Sequence, residues 1–190
     1  MPQFDLRGIK VANYVNTNGT ITYTSATSIG DAMNVNLELR FAEGRLYAES
    51  TLAEFMRKCT GGTISIGVKY IPDAAQTMMY GVTSKSRAVG TKTISGLVTS
   101  AKDTPNYVGV AFYAPDMVDG VKKFTCVKVA RALFGNPSMT LQTAGENIVF
   151  NTPTTSGEFL ADDSTNQEML EVALCDTEAD AIAWVTAVLA

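Results

Sequence analysis

Histidine does not occur anywhere in the 190 residues. Its absence removes the commonest general acid or base near neutral pH and the commonest transition-metal ligand. Cysteine is scarce, and Cys59, Cys126 and Cys175 are far apart, odd in number and never in a C-x-x-C pair. Such a set reads as reduced, mostly buried, small apolar side chains, in keeping with synthesis in cytoplasm. Neither sign of charge dominates: 15 Lys and Arg stand against 19 Asp and Glu, for a net charge of −4. No basic cluster exceeds two consecutive residues, which argues against a nucleic-acid reader. No run approaches the roughly 20 apolar residues of a membrane span. The opening "MPQFDLRGIK" lacks a basic start followed by an apolar stretch, so the expectation is a chain that folds where it is made.

Signatures of catalysis are also missing. There is no G-x-S-x-G elbow, no G-x-G-x-x-G and no phosphate-binding G-x-x-x-x-G-K-[ST]; "VGTKT" brushes the last without its spacing. "DDSTNQE" at 162–168 begins like a calcium loop, with Asp162, Ser164 and Asn166 at alternate positions. Gln167 then replaces the glycine of the sharp turn and Ala173 the bidentate carboxylate, so an ordinary turn is favoured. A two-carboxylate hydrolase would need a pair such as Asp116 and Asp119, or Glu146 and Glu158, to converge in a cleft, and nothing selects a pair. The expectation is a non-enzyme with no catalytic residue, no metal and no cofactor.

What the chain has is alternation. "MNVNLELRF" sets Met33, Val35, Leu37, Leu39 and Phe41 on one face, with Asn34, Asn36, Glu38 and Arg40 on the other. "TISIGVKYI" repeats this with Ile64, Ile66, Val68 and Tyr70 against Ser65, Gly67 and Lys69. Period-2 alternation of this length predicts strands with one wet face. Further strands are expected at 9–15, 20–24, 93–99, 107–114, 121–133, 146–151 and 167–175. "NTNGT" at 16–20 and Asp119-Gly120 carry hairpin turn chemistry. If the latter is a two-residue turn, Val118 faces Val121 and Asp116 pairs with Lys123.

Helices are few. "TLAEFMRKC" has Thr51 and Glu54 at capping-box spacing, with Leu52, Phe55, Met56 and Cys59 at helical intervals, predicting a short helix at about 52–59. "PDAAQTMMYG" predicts another behind Pro72. "DTEADAIAWVTAVLA" predicts a C-terminal helix capped by Asp176 or Thr177, its apolar stripe formed by Ile182, Val185, Leu189 and Trp184. Residues 83–106 are polar, hold Lys85, Arg87, Lys92 and Lys102 against Asp103 alone, and read as an unassigned loop broken by a hairpin around Ile94–Val98. The length suits a single domain over 1–190, mainly β with few helices.

Three ordered segments carry a resemblance. "GVAFYAPDMVDGVKKF", "LQTAGENIVFNTPTTSG" and "CDTEADAIAWVTAVL" are similar, in order and spacing, to the C-terminal half of phage major tail proteins, the tail tube proteins of long-tailed siphophages and prophages of the phi13-like type. "GTITY", "EGRLYAES" and "GGTISIGVKYIP" resemble the N-terminal half more weakly, so the likeness runs from about residue 6 to 189. Ala144 departs from it, standing where many relatives have a lysine, and 83–106 has no counterpart.

The resemblance implies a β-sandwich or partial barrel with a flanking helix and an extended arm at about 42–62, serving as a structural virion protein of the phage tail, made and assembled in the host cytoplasm. Its subunits would form hexameric rings stacked into a tube through which DNA passes. The implied partners are other copies of the chain, the tape measure protein and phage DNA in the lumen, and tail terminator and baseplate or distal tail proteins at the ends. A tube of a contractile tail or phage-tail-like bacteriocin is an alternative, as is a monomeric β-rich binding or decoration protein. On this reading Asn34, Asn36, Glu38, Arg40, Ser65 and Lys69 are lumen candidates, the alternative being a plain outer surface. Arg45, Leu46, Tyr47, Ala48 and Glu49 are candidates for contacts between rings or subunits, the alternative being a loop packed on its own subunit.

Overall fold

The computed structural model describes residues 5–49, 51–137 and 152–190. The strand expected at 146–151, Ala144 and Glu146 lie outside those residues. The described chain is mainly β, with two short helices.

In chain order the elements are β1 (Arg7–Thr17), β2 (Thr20–Ser28), β3 (Ala32–Ala48), β4 (Thr51–Val68), α1 (Asp73–Tyr80), β5 (Thr83–Val89), β6 (Lys92–Val98), β7 (Tyr107–Val118), β8 (Val121–Phe134), β9 (Thr154–Leu160), β10 (Leu170–Cys175) and α2 (Glu178–Ala187). The main sheet is antiparallel, ordered β2-β1-β7-β8-β9-β4-β3. β9 and β10 lie one after the other along the same edge of β8, β9 on Arg131–Phe134 and β10 on Phe124–Val129. β5 and β6 form a separate hairpin.

Alternation decides the layers. On β1, β7 and β8, residues of one parity (Ile9, Val11, Val108, Val110, Phe112, Val129) join a large core with Ile64, Ile66, Val68, Phe134, Phe159 and α1. Because that core draws on strands near both ends of the sheet order, the sheet curls over it. Residues of the other parity (Ala12, Ala111, Tyr113, Phe124, Cys126) form a smaller core under α2. A strand covered on both faces reads as an unbroken apolar run, as "YVGVAFYA" in β7 does.

The hairpin turns follow their sequence signals. Asn18-Gly19 and Asp119-Gly120 both take positive φ (53° and 85°; 50° and 78°), as a two-residue turn matched to strand twist requires. Val118 faces Val121 and Asp116 faces Lys123 in register. The expected ion pair does not form: Lys123 Nζ reaches Asp176 at 2.9 Å, while the buried Asp116 accepts from the Thr125 hydroxyl at 3.2 Å. Asp176 is the more exposed partner, so Lys123 keeps its charge in water and Asp116 uses a neutral donor.

α1 follows Pro72 and ends at Gly81 in the left-handed conformation. Thr177 caps α2, its hydroxyl accepting from the Asp180 amide at 3.2 Å. The α2 stripe is rotated from expectation: Ala181, Val185 and Leu189 are buried, Trp184 is half-buried and Ile182 is exposed. With only 10 residues, α2 needs that docking to persist.

Residues 52–59 are strand, not helix. β4 pairs with β3 through this whole stretch, from Ala48 opposite Thr51 to Phe41 opposite Cys59. A helix here would leave the backbone of residues 41–48 unpaired, and its apolar stripe would have no surface to dock on. The hairpin satisfies both strands at once, turning where Glu49 takes φ 50°. Residues 83–106, expected as a loop with a hairpin around 94–98, contain the seven-pair β5–β6 hairpin.

Candidate functional site

Two surfaces emerge from the β3, β4 and β9 region. The first is a polar sheet face. Register sets Asn34, Asn36, Glu38 and Arg40 opposite Gly67, Ser65, Thr63 and Gly61, and β9 places Thr154, Ser156 and Glu158 beside Gly67, Ser65 and Thr63. The reverse side of the same strands supplies Val35, Leu37, Ile64, Ile66 and Phe159 to the large core or its margin.

Neighbours on the polar face are bonded to one another. Arg40 Nη2 reaches Glu158 Oε1 at 3.1 Å, Ser156 and Ser65 hydroxyls bond at 3.3 Å, Asn36 donates to Glu38 at 3.0 Å, and Asn34 Oδ1 accepts from the Gly67 amide at 3.0 Å. The face is thus amides and hydroxyls with Glu38, Arg40 and Glu158 as its charges. Ion pairs this exposed contribute little to stability. Of the six residues singled out from sequence, five share this face. Lys69 lies past the end of β4, with Nζ 3.5 Å from Asp31. The β9 contribution had no sequence signal, because "TTSGEF" is too short and too polar to stand out as a strand.

Gly62 permits this tight three-strand packing. A Cβ there would lie 2.2 Å from the Glu38 carbonyl oxygen and 2.5 Å from the Phe159 ring.

The second surface is the distal half of the β3–β4 hairpin, residues 41–49 and 51–58, which leaves the body as an arm with Phe41–Tyr47 and Thr51–Lys58 exposed on both sides. On one side Phe41, Glu43 and Arg45 face Cys59, Arg57 and Phe55. The Arg57 guanidinium lies 3.9 Å from the Phe41 ring centre and Arg45 lies 5.6 Å from that of Phe55. Glu43 sits between the arginines, 3.5 Å from each. This ladder stiffens a two-stranded ribbon that would otherwise be marginal. The other side carries Ala42, Gly44 and Leu46 against Lys58, Met56 and Glu54. Leu46, Tyr47, Leu52, Phe55 and Met56 are all exposed, Met56 at 74%. Arg45, Leu46, Tyr47, Ala48 and Glu49, chosen as contact residues, form the outer end of β3 and the turn.

Elsewhere the carboxylates are engaged locally. Asp162 is buried and accepts from the Ser164 amide and hydroxyl and the Glu168 amide, at 3.1, 2.6 and 2.9 Å. Its loop therefore closes on its own donors. Asp163 receives Arg131 at 2.6 Å, Tyr14 at 3.1 Å and Asn16 at 3.2 Å. Lost hydration works the other way, but the Tyr14, Asn16 and Arg131 bonds together hold its carboxyl below the usual range. Glu178 is likewise held low, by Arg7 and then Tyr113. Asp116 is buried in β7 and Asp119 lies in the turn, so this pair forms no cleft. The three cysteines are free; burial, and then Cys126's hydrogen bond to Cys175 at 3.6 Å, pushes the Cys126 thiol up to about 12.

An open groove of about 400 Å³ runs between β3 and the β7–β8 pair, lined by Leu6, Met33, Val35, Leu37, Phe112, Ala114 and Val127, with Asp5 and Asn34. It offers apolar area but little convergent polar chemistry to orient a reacting molecule. Among the described residues no helix is long and apolar enough to cross a membrane. Compared with known proteins, the chain matches no family model and no curated protein.

Proposed function

We propose that the chain is a structural virion protein, the tail tube subunit of a long-tailed phage or prophage. On this reading its copies form hexameric rings that stack into a tube for DNA. The observation that carries the proposal is the arm: a stiffened ribbon that projects Leu46, Tyr47, Leu52, Phe55 and Met56 into solvent. On a monomer, a ribbon with open strand edges and this many exposed apolar side chains is an aggregation hazard. In a repeating assembly it is a contact waiting for its neighbour, and a head-to-tail contact of this kind grows as a filament.

The polar β3–β4–β9 face supports the same reading. Its amides and hydroxyls, with one arginine already paired to Glu158, offer phosphates little to hold. A DNA conduit requires that, because each phosphate contact made by a basic wall would slow passage. The tape measure protein and DNA would then meet this face, and tail terminator and baseplate proteins would meet the ends of the tube.

Electron microscopy of the purified chain over a concentration series tests the proposal. Rings or tubes are expected, and deletion of Arg45–Glu49 should leave a folded monomer that does not polymerise. A chain that stays monomeric at high concentration overturns the tube reading and favours a β-rich binding or decoration protein. Co-assembly with a sheath protein would place the tube in a contractile tail or bacteriocin.

A further inference from the structure

The β5–β6 hairpin takes no part in the main sheet. Its strands pair only with each other, and Leu97 alone packs against the margin of the large core. A free two-stranded hairpin is marginal in water, so a partner surface would complete it.

Its two faces differ sharply. Register sets Thr83, Lys85, Arg87 and Val89 opposite Val98, Gly96, Ile94 and Lys92. All three cations of the hairpin and its exposed Val89, Ile94 and Val98 therefore lie on one face. The reverse face holds Ser84, Ser86, Thr93 and Ser95, with Ser86 and Ser95 bonded at 2.8 Å. Lys85, Arg87 and Lys92 enter none of the ion pairs of the described residues.

The complementary surface lies at the other end of the chain. Residues 132–190 contain nine carboxylates and no lysine or arginine. Within them β10 exposes Leu170, Val172 and Leu174 on a single face, bracketed in sequence by the exposed Glu168, which enters no ion pair of the described residues, and by Asp176, which Lys123 already pairs. β10 pairs with β8 along one edge, and among the described residues its other edge has no strand beside it. Its six residues match the seven of β5 or β6. Hairpin and β10 do not pair within one chain.

We infer that the β5–β6 hairpin docks by strand addition on the free edge of β10 in a second copy of this chain. Main-chain hydrogen bonds supply the pairing, Val89, Ile94 and Val98 extend the Leu170–Val172–Leu174 face, and Lys85 or Lys92 reaches Glu168, with Asp176 shared with its own Lys123. The inference needs only that the chain self-associates, and it assigns a contact separate from the arm.

The test couples amines to carboxylates with a zero-length carbodiimide in an equal mixture of isotopically light and heavy chains. Mass spectrometry should find Lys85 or Lys92 joined to Glu168 or Asp176 in light–heavy pairs. K85E/K92E should weaken association at least about tenfold with unchanged circular dichroism, and E168K, which leaves the Lys123–Asp176 pair intact, should restore part of it in that background. Oligomers whose light–heavy couplings lie elsewhere, with association unmoved by K85E/K92E, overturn this contact and leave the tube reading standing. A monomer at every concentration overturns both. Binding to anionic vesicles without self-association reassigns the face to a membrane surface and also overturns the contact.

Discussion

Replacing Leu46 and Met56 together by aspartate separates folding from assembly. The two side chains are neighbours on one side of the arm, 58% and 74% exposed in the single chain. Surface substitutions of this kind change stability by no more than about 0.5 kcal/mol each, so Tm should move by no more than about 2–4 °C. Burying a large apolar side chain contributes about 1.5–3 kcal/mol. Scaled by the fraction still exposed, that gives about 1–2 kcal/mol for each residue and about 2–4 kcal/mol for the pair. At about 1.4 kcal/mol per tenfold, the concentration needed for polymerisation should rise roughly 30- to 700-fold, and the desolvation cost of the carboxylates adds to this. Sedimentation of assembled material against total concentration measures the rise, with thermal melts of dilute protein as control. Tubes at the wild-type concentration would show that these residues take no part in the contact between subunits, and a Tm drop beyond 10 °C (about 3 kcal/mol or more) would show that they pack on their own subunit.

Three further outcomes follow from the geometry. Phe159→Ala removes a fully buried ring shared by β9 and the large core and should cost about 3–5 kcal/mol in denaturant unfolding; Asn36→Ala, on the exposed polar side of the same sheet, should change stability by less than about 0.5 kcal/mol. The Asp163 carboxyl is held low when folded, so its contribution is present above the ordinary carboxyl pKa and lost as pH falls through the lowered value. Asp163→Asn should accordingly flatten the acid side of the stability profile, and identical acid curves for the two proteins would refute the role of the Arg131, Tyr14 and Asn16 bonds. With its thiol raised to about 12, Cys126 should resist alkylation at pH 8 until the chain is unfolded, which peptide mapping after timed labelling would read.

Strands with one wet face were legible because alternation and burial are the same fact seen twice: Val35, Leu37, Ile64 and Ile66 go inward and Asn34, Asn36 and Ser65 cannot, although Met33, Leu39, Phe41 and Tyr70 of the same alternation stay exposed. Asn-Gly and Asp-Gly turns were legible because few residues accept positive φ. The 52–59 stretch misled because Leu52, Phe55 and Met56 fit a helical stripe as well as a ribbon, and only pairing with β3 decides between them. The Asp116 partner was hidden for a similar reason. Register fixes which residue lies opposite, but Asp176, remote in sequence, competes for Lys123. β9 was invisible until its neighbours were placed, since its polar side completes a face whose other members come from β3 and β4.

The strand order also constrains the timing of synthesis. β3 and β4 are made early, yet the path from them to β8 runs through β9, residues Thr154–Leu160. As the chain leaves the ribosome, the β3–β4 hairpin can close on itself but has no place in the main sheet until β9 has been translated. Long-range pairing of this kind is a late, slow event. The three-strand polar face and the anchored base of the arm therefore come into being together, when β9 arrives, so a nascent fragment that still lacks β9 presents a loose ribbon without the rigid surface on which a neighbour could build.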